Sequence, residues 1–312
     1  MWYILKNLLL EKGIILSTIR HTAGKDDHNR TIAGVLKERY SMSRSLLRRI
    51  KREGNTFLNG DPVFLNERLK EGDTLIVEMD IGRQSQIDPE DISPDIIYED
   101  DSLLVLNKPP GMLVHPVRRE RSGTLANAIM GYWQKSGKCH GVFRPVFRID
   151  RDTSGLVVVS GNHLAHLSLA RQIQDKTMER IYIAVVGGLV SSQQGIIDLP
   201  IARKPGSIVE REVSPSGSQA VTHYRVIKRL PQINASVLEV KLETGRTHQI
   251  RVHMSHWGHP LLGDSLYGGR GGSIARQALH SYRAAFSHPL TGARMDLYCP
   301  LPRDMKELVG VI

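Results

Sequence analysis

The chain has 312 residues, 40% of them hydrophobic, with a formal net charge of +10 and a pI of about 9.7. That apolar fraction supports a packed core and excludes a disordered chain, and the length suits one large or two ordinary domains. The positive excess points to a polyanion, nucleic acid or anionic membrane, while no run reaches the roughly 18 apolar residues of a membrane helix, so a membrane-spanning protein is not expected.

The opening "MWYILKNLLLEKGIIL" is apolar but broken by Lys6, Glu11 and Lys12. It lacks a basic leader and a small-residue cleavage site, so it is read as an N-terminal extension, residues 1–16, and not as a signal peptide. Cys139 and Cys299 lie far apart, in neither a disulfide framework nor a CxxC pair, which fits a reducing cytoplasm.

In "KERYSMSRSLLRRIKR", residues 37–52, seven basic residues face one acid. Read as a helix from about Ser43, this stretch puts Leu46, Leu47 and Ile50 on one stripe and Arg44, Arg48, Arg49, Lys51 and Arg52 on the remaining surface. Gly54 and Asn55 supply the stop, Asn59-Gly60 a hairpin turn, and "LKEGDTLIVEM" a turn and strand. Residues 17–80 are therefore expected to form a small α/β module with a basic helix on its surface. The bland reading of that helix is a solvated face; the other is phosphate contact to RNA or DNA. It has no aromatics to stack bases, so it would supply affinity rather than sequence reading.

Residues 81–95, "IGRQSQIDPEDISPD", lose apolar periodicity and read as a linker. A second domain, 96–312, opens with two short strands around an acidic turn in "IIYEDDSLLVLNKPPG". Further strands are predicted at Leu156–Ser160, Ile181–Val186 and Ser236–Glu243. A helix after Asn162 carries Leu164, Leu167 and Ile173 as its apolar stripe. The hairpins predict an α+β fold: a mixed, largely antiparallel sheet with flanking helices.

"FRIDRDTSGLVVVS" carries the densest chemistry. Asp152-Thr153-Ser154-Gly155 is ordinary turn composition before a strand, whereas Asp150 sits where apolar chain meets that turn, a common place for a catalytic group. A Ser or Thr nucleophile would need a base nearby, and the G-x-S-x-G elbow is absent, so the hydroxyls rank as turn-forming and Asp150 as reactive. In "TGRTHQIRVHMSHWGHPLLGDSLYG", Ile250, Met254 and Trp257 recur at helical spacing, with Thr247 as cap. Arg246 then lies before a helix N-terminus, a place for a carboxylate or phosphate. His253 and His256 have possible metal-ligand spacing, but with no HExxH and no adjacent carboxylate a metal is not expected. Tyr182 in "ERIYIAVVGG" is either a core residue of a central strand or an aromatic platform for a base.

"FRIDRDTSGLVVVS", "RIYIAVVGG" and "GRTHQIRVHMSHWGHPLLGDSLYG", in this order, resemble the RluA-type RNA pseudouridine synthases, and "IIYEDDSLLVLNKPPGMLVHP" looks like the opening of their catalytic domain. The basic module resembles the S4 RNA-binding domain that precedes the catalytic domain in the D-type synthases of the large ribosomal subunit. The resemblance covers roughly residues 17–300. It implies an isomerase without cofactor or metal that detaches uracil from C1′ of a uridine, turns it and rejoins it through C5. It implies Asp150 as the essential aspartate, Arg148 as the group filling the space a flipped nucleotide leaves, Tyr182 as the aromatic against the base, Arg246 as the partner of the aspartate, and Ile250 as an apolar neighbour of the base. The family's usual histidine is replaced by Phe147. The expected partner is RNA, ribosomal RNA first and tRNA second, bound by a cytoplasmic monomer. The competing readings are an inactive S4-containing RNA-binding protein and a hydrolase using Ser154 or a histidine-bound metal.

Overall fold

The computed structural model describes residues 14–40, 42, 44–53, 55–83, 87–137, 142–269 and 274–310; Cys139 and most of the apolar N-terminal stretch fall outside them. Strands β1 (Ile14–Thr22), β2 (Asn55–Leu58), β3 (Asp61–Pro62) and β4 (Thr74–Arg83) form an antiparallel sheet in the order β1-β4-β2-β3. Asn59 and Gly60 join β2 to β3 with φ of 53° and 97°, the positive pair that a two-residue hairpin demands. Helix α1 (Ile32–Arg39) is capped by the Thr31 hydroxyl, which accepts the Gly34 N–H. Helix α2 (Arg44–Glu53) is the basic segment. Its Ile50 is buried and its Leu46 and Leu47 half-buried against Val35, Leu36, Leu75 and Val77, while Arg44, Arg48, Lys51 and Arg52 are exposed and Arg49 is half-exposed. The spacing of three apolar positions decides which side turns inward, and the cations take what remains.

The predicted linker is strand at one end and packed chain at the other. β4 runs on to Arg83, and from Ile87 the chain lies on the second body: Ile87 is buried in its core, and the Glu90 carboxylate accepts the Gly123 N–H at 2.9 and 3.1 Å. Periodicity is absent there because an extended segment contributes one apolar residue at a time.

The second body is built on a mixed sheet of β5 (Ile96–Glu99), β6 (Leu103–Lys108), β7 (Arg144–Pro145), β8 (Ser154–Ser160), β9 (Glu179–Gly187), β10 (Gln194–Asp198), β13 (Val221–Leu230), β14 (Ala235–Leu242), β15 (Leu279–Ser287) and β16 (Arg294–Tyr298). Between β10 and β13 lies a separate small hairpin of β11 (Ile201–Arg203) and β12 (Arg211–Val213). The order is β10-β13-β14-β9-β15-β8-β6-β5, with β7 on β8 and β16 on β15. Every pairing among the described residues is antiparallel apart from β8 with β15, so the expected α+β class with a mixed, largely antiparallel sheet is the one observed. Alternation sorts the two faces. Tyr182, Ala184, Val186, Leu238 and Val240 enter the larger core, while Ile183, Val185 and Val237 face a smaller one closed by helix α6 (Arg303–Val309).

Helix α3 (Leu125–Lys135) covers the larger core with Leu125, Ile129 and Trp133. Helix α4 (His163–Gln174) starts at Asn162, whose side chain accepts the Ala165 N–H at 2.9 Å. Its predicted stripe divides: Ile173 packs on the larger core, but Leu164 fills the core of the N-terminal module. Here the two bodies meet.

The parallel pair sets the site. His280 lies opposite Ser154 and Ser281 opposite Gly155. Gly155 has φ of +104°, and a Cβ there would overlap the Ser281 carbonyl, so only glycine allows β15 this close to the turn that carries Asp150.

Candidate active site

Asp150 stands in the loop between β7 and β8, with its side chain 24% exposed in a cleft. Each residue after it is tied down. The Asp150 carbonyl accepts the Thr153 N–H at 3.2 Å. Lys108, wholly buried, donates from Nζ to the carbonyls of Arg151, Pro109 and Met112 at 2.7–2.8 Å, pinning this loop to the "NKPPG" turn. Burial draws the Lys108 pKa down to about 7, with the nearby Asp152 charge acting against it. Arg276 donates to the Asp152 carbonyl at 2.9 Å. Ser154 is 2.9 Å from His280 Nδ1, and His280 Nε2 is 3.0 Å from the Cys299 carbonyl. This Ser–His pair has the residue types of a nucleophile and base, but both are buried to 2% and 1% exposure, and burial holds the imidazole pKa at about 4. Thr153 and Ser154 therefore shape the turn, as their composition suggested.

All five residues named from the sequence for the catalytic cleft line it: Arg148, Asp150, Tyr182, Arg246 and Ile250. Tyr182 is a buried residue of β9 that also lines the cleft; burial raises its pKa and keeps it a neutral phenol. Ile250 is buried, while Arg148 and Arg246 are exposed at the rim. Phe147 packs in the larger core with the Arg180 guanidinium over its ring at 5.9 Å.

The partner of Asp150 differs from the one expected. Arg251 Nη1 donates to Asp150 Oδ2 at 3.2 Å, whereas Arg246 Nε donates to the Gln219 carbonyl at 3.0 Å. His248, and not Thr247, precedes helix α5 (Gln249–His256), in a left-handed conformation with φ of 58°. Arg246 lies before the helix, as expected, and it is Arg251 in the first turn that meets the carboxylate.

Arg251 is held on three sides. Its Nε and Nη2 donate to the buried Asp264 carboxylate at 2.7 and 2.8 Å, and its guanidinium lies 4.9 Å over the Tyr267 ring. Burial works against the Arg251 charge, but Asp264 and then Asp150 outweigh it and raise its pKa. The third side of the site is His248, with Nε2 4.0 Å from Asp150 Oδ1. Its Nδ1 is 2.8 Å from the Tyr267 hydroxyl, which accepts the Arg211 N–H at 2.9 Å. Burial lowers the His248 pKa, so the ring is neutral at pH 7. The cleft thus holds one carboxylate between a fixed cation and a neutral imidazole, against an aromatic and an aliphatic wall.

Sequence reading passed over Arg251, His248, Asp264, Tyr267 and Lys108. The available signal was Arg251 itself, a charge at helical spacing between the apolar Ile250 and Val252. Of the four histidines nearby, His253 is engaged at both ring nitrogens, by Thr222 Oγ1 at 2.8 Å and the Leu199 carbonyl at 2.9 Å. Among the described residues no group of three or more His, Cys, Asp or Glu side chains could hold a metal, and no helix is long and apolar enough to cross a membrane.

A family model described as RNA pseudouridylate synthase matches residues 102–256. An uncharacterized RNA pseudouridine synthase of Bacillus subtilis, YjbO, is 44% identical over 86% of this chain and 94% of its own length. Ribosomal large subunit pseudouridine synthase D of Zymomonas mobilis is 43% identical over 81% of this chain and 82% of its own, and that of Pasteurella multocida 37% identical over 86% and 87%. The fold is shared with human RNA pseudouridylate synthase domain containing 4, with a TM-score of 0.56 at 21% identity over 68% of this chain and 90% of the human one.

Proposed function

The chain belongs to the RNA pseudouridine synthase family, isomerases that act on RNA, and on that premise we propose that it converts uridines of large-subunit ribosomal RNA to pseudouridine, with Asp150 as the catalytic carboxylate. The observation that carries this reading is Asp150 itself: accessible in a cleft, paired with Arg251, and walled by Tyr182 and Ile250. The reaction breaks C1′–N1 and forms C1′–C5; C5 loses a proton and N1 gains one, with no net redox change. A carboxylate serves this as nucleophile at C1′ or at C6, or by stabilising positive charge on the sugar. Each role needs the ionised form, and Arg251 supplies the cation beside it.

The target base leaves its stack to reach Asp150, and Tyr182 and Ile250 offer it an apolar slot. Arg148, exposed at the mouth, would fill the gap left in the RNA, and Arg246, exposed at the rim, would meet the backbone. The ribosomal target is taken from the two D-type relatives; tRNA is the second choice. The chain would act as a cytoplasmic monomer. The test is incubation with unmodified large-subunit ribosomal RNA in the presence of a chelator, followed by chemical mapping of pseudouridine. Product at discrete uridines is expected. No product in that RNA refutes the ribosomal assignment, and none in tRNA either refutes the activity.

We also infer that the N-terminal module is S4-like and binds RNA through α2. Its exposed Arg48 and Lys51 then contact phosphates without reading bases. Replacing both by glutamine is expected to reduce the slope of log K against log salt by about 1.4–1.8. A filter-binding series from 50 to 300 mM salt checks this, and an unchanged slope removes α2 from the interface.

A further inference from the structure

A short cationic hairpin leads from β6 to α3 beside the turn that carries Asp150. It reads "HPVRRERSG", residues 115–123, with Arg118, Arg119 and Arg121 exposed. Val117 and Glu120 close it on each other: the Val117 N–H donates to the Glu120 carbonyl at 2.9 Å, and the Glu120 N–H to the Val117 carbonyl at 3.0 Å. Arg118 and Arg119 are the two residues at the tip. Both ends of the segment are fixed. The Met112 carbonyl accepts from Lys108 Nζ at 2.8 Å, and the Leu113 and Val114 carbonyls accept the N–H groups of Leu125 and Ala126 at 2.8 and 3.1 Å. On the other side, Asn127 Nδ2 donates to the Arg121 carbonyl at 3.1 Å, and the Gly123 N–H meets the Glu90 carboxylate.

The hairpin is tied to the catalytic turn as well. Arg151, the residue after Asp150, donates from Nη1 and Nη2 to the two carboxylate oxygens of Glu120 at 3.1 and 2.6 Å. A bidentate pair fixes orientation as well as distance. One ion pair, with one residue on either side of it, thus separates the hairpin tip from Asp150. The same pair decides the charge of the hairpin, because Glu120 is its single acid and is turned to Arg151. Among the described residues no ion pair or hydrogen bond engages the side chains of Arg118, Arg119 or Arg121. Exposed arginines elsewhere on this body have acids to hand: Arg171 with Asp175, Arg225 with Glu239 and Arg303 with Glu307. A solvated surface of mixed sign needs no ligand. Three guanidiniums within four residues, on a braced turn and without acids, repel one another and suit phosphate oxygens.

We propose that Arg118 and Arg119 contact backbone phosphates of the RNA close to the target uridine, which makes this hairpin part of the RNA-binding surface of the cleft. This rests on the reading of the chain as an RNA-modifying enzyme. RNA is the favoured source of the phosphates because a strand whose base reaches Asp150 brings its own backbone past the residues that flank that turn. Contacts of this kind hold the strand in register and do not read its bases.

The test measures binding of the full chain, carrying Asp150→Asn to remove turnover, to the RNA that the wild type modifies. Adding Arg118→Gln and Arg119→Gln is expected to lower affinity about tenfold or more at 0.15 M salt and to reduce the salt slope by about 1.4–1.8, the value of two phosphate contacts. Arg118→Lys with Arg119→Lys should keep most of the slope. Arg303→Gln with Lys306→Gln takes the same charge from α6, on the sheet face away from Tyr182, and should leave affinity and slope nearly unchanged. A loss from the hairpin no larger than the loss from α6 would overturn the proposal. A second measurement places the contact: single methylphosphonates are put in turn at the phosphates within a few nucleotides of the target uridine. One or two of them should weaken binding by the parent and not by the Arg118→Gln, Arg119→Gln protein, in which that contact is already gone. If every neutralised phosphate weakens both proteins equally, the hairpin does not touch the backbone there and the proposal falls. Failure of the underlying reading shows separately, as a wild-type enzyme that forms no pseudouridine.

Discussion

Asp150→Asn is expected to lower pseudouridine formation by about a thousandfold or more, with the fold intact. Asparagine keeps the shape of the side chain but has neither the negative charge that could stabilise a sugar cation nor the nucleophilic oxygen. The structural cost is small. Asp150 is 24% exposed, and its side chain makes one hydrogen bond, at 3.2 Å from Arg251, a guanidinium that Asp264 still holds through two others. Asparagine Oδ1 can still accept that bond and Asp264 still neutralises the guanidinium, so the loss is about 1 kcal/mol. Single-turnover assays on ribosomal RNA alongside urea unfolding check both halves. Product at a wild-type rate would refute the catalytic assignment.

Arg251→Met should do the reverse first, striking stability. Arg251 is 8% exposed and Asp264 1%, and removing the cation leaves a buried carboxylate without its partner. Breaking such a pair costs about 3–5 kcal/mol. Replacing both, as Arg251→Met with Asp264→Leu, should recover a large part of that loss, since the desolvation of an unpaired charge disappears with the charge. Activity should not return, because Asp150 still lacks its cation. Unfolding midpoints for the single and double variants, with activity on the same samples, separate the two roles. A single variant as stable as wild type would show that Asp264 finds other solvation.

The legible parts of the molecule were those set by local pattern. Period-two alternation placed β9 and β14 within a residue or two, Asn59-Gly60 fixed a hairpin, and Asn162 began α4. Asp150 was legible from its place before a turn, and its cleft neighbours from the order of the motifs. What stayed hidden depends on long-range contact. Asp150 and Arg251 are 101 positions apart, and Arg251 in the first turn of α5, not Arg246 before it, meets the carboxylate, in a helix that starts one residue later than expected. That shift follows from the left-handed backbone of His248, a conformation no non-glycine residue announces. Lys108 was likewise unreadable, because two of its acceptors lie in its own turn and the third comes from residue 151. Leu164 looked like any apolar stripe residue; only the packed structure reveals which of two cores it fills.

The parallel pairing of β8 with β15 also bears on how the chain matures. Ser154 and His280 are 126 positions apart, and the turn bearing Asp150 is bounded on that side by Arg276, Gln277 and His280. A contact of such sequence separation is slow to form and comes late. During synthesis the residues up to about 150 emerge well before those near 280, so Asp150 waits on a nascent chain without the strand that seats it. The cleft around Asp150 is therefore complete only once β15 has been made, and a product truncated before β15 would retain the basic helix without an assembled Asp150 turn.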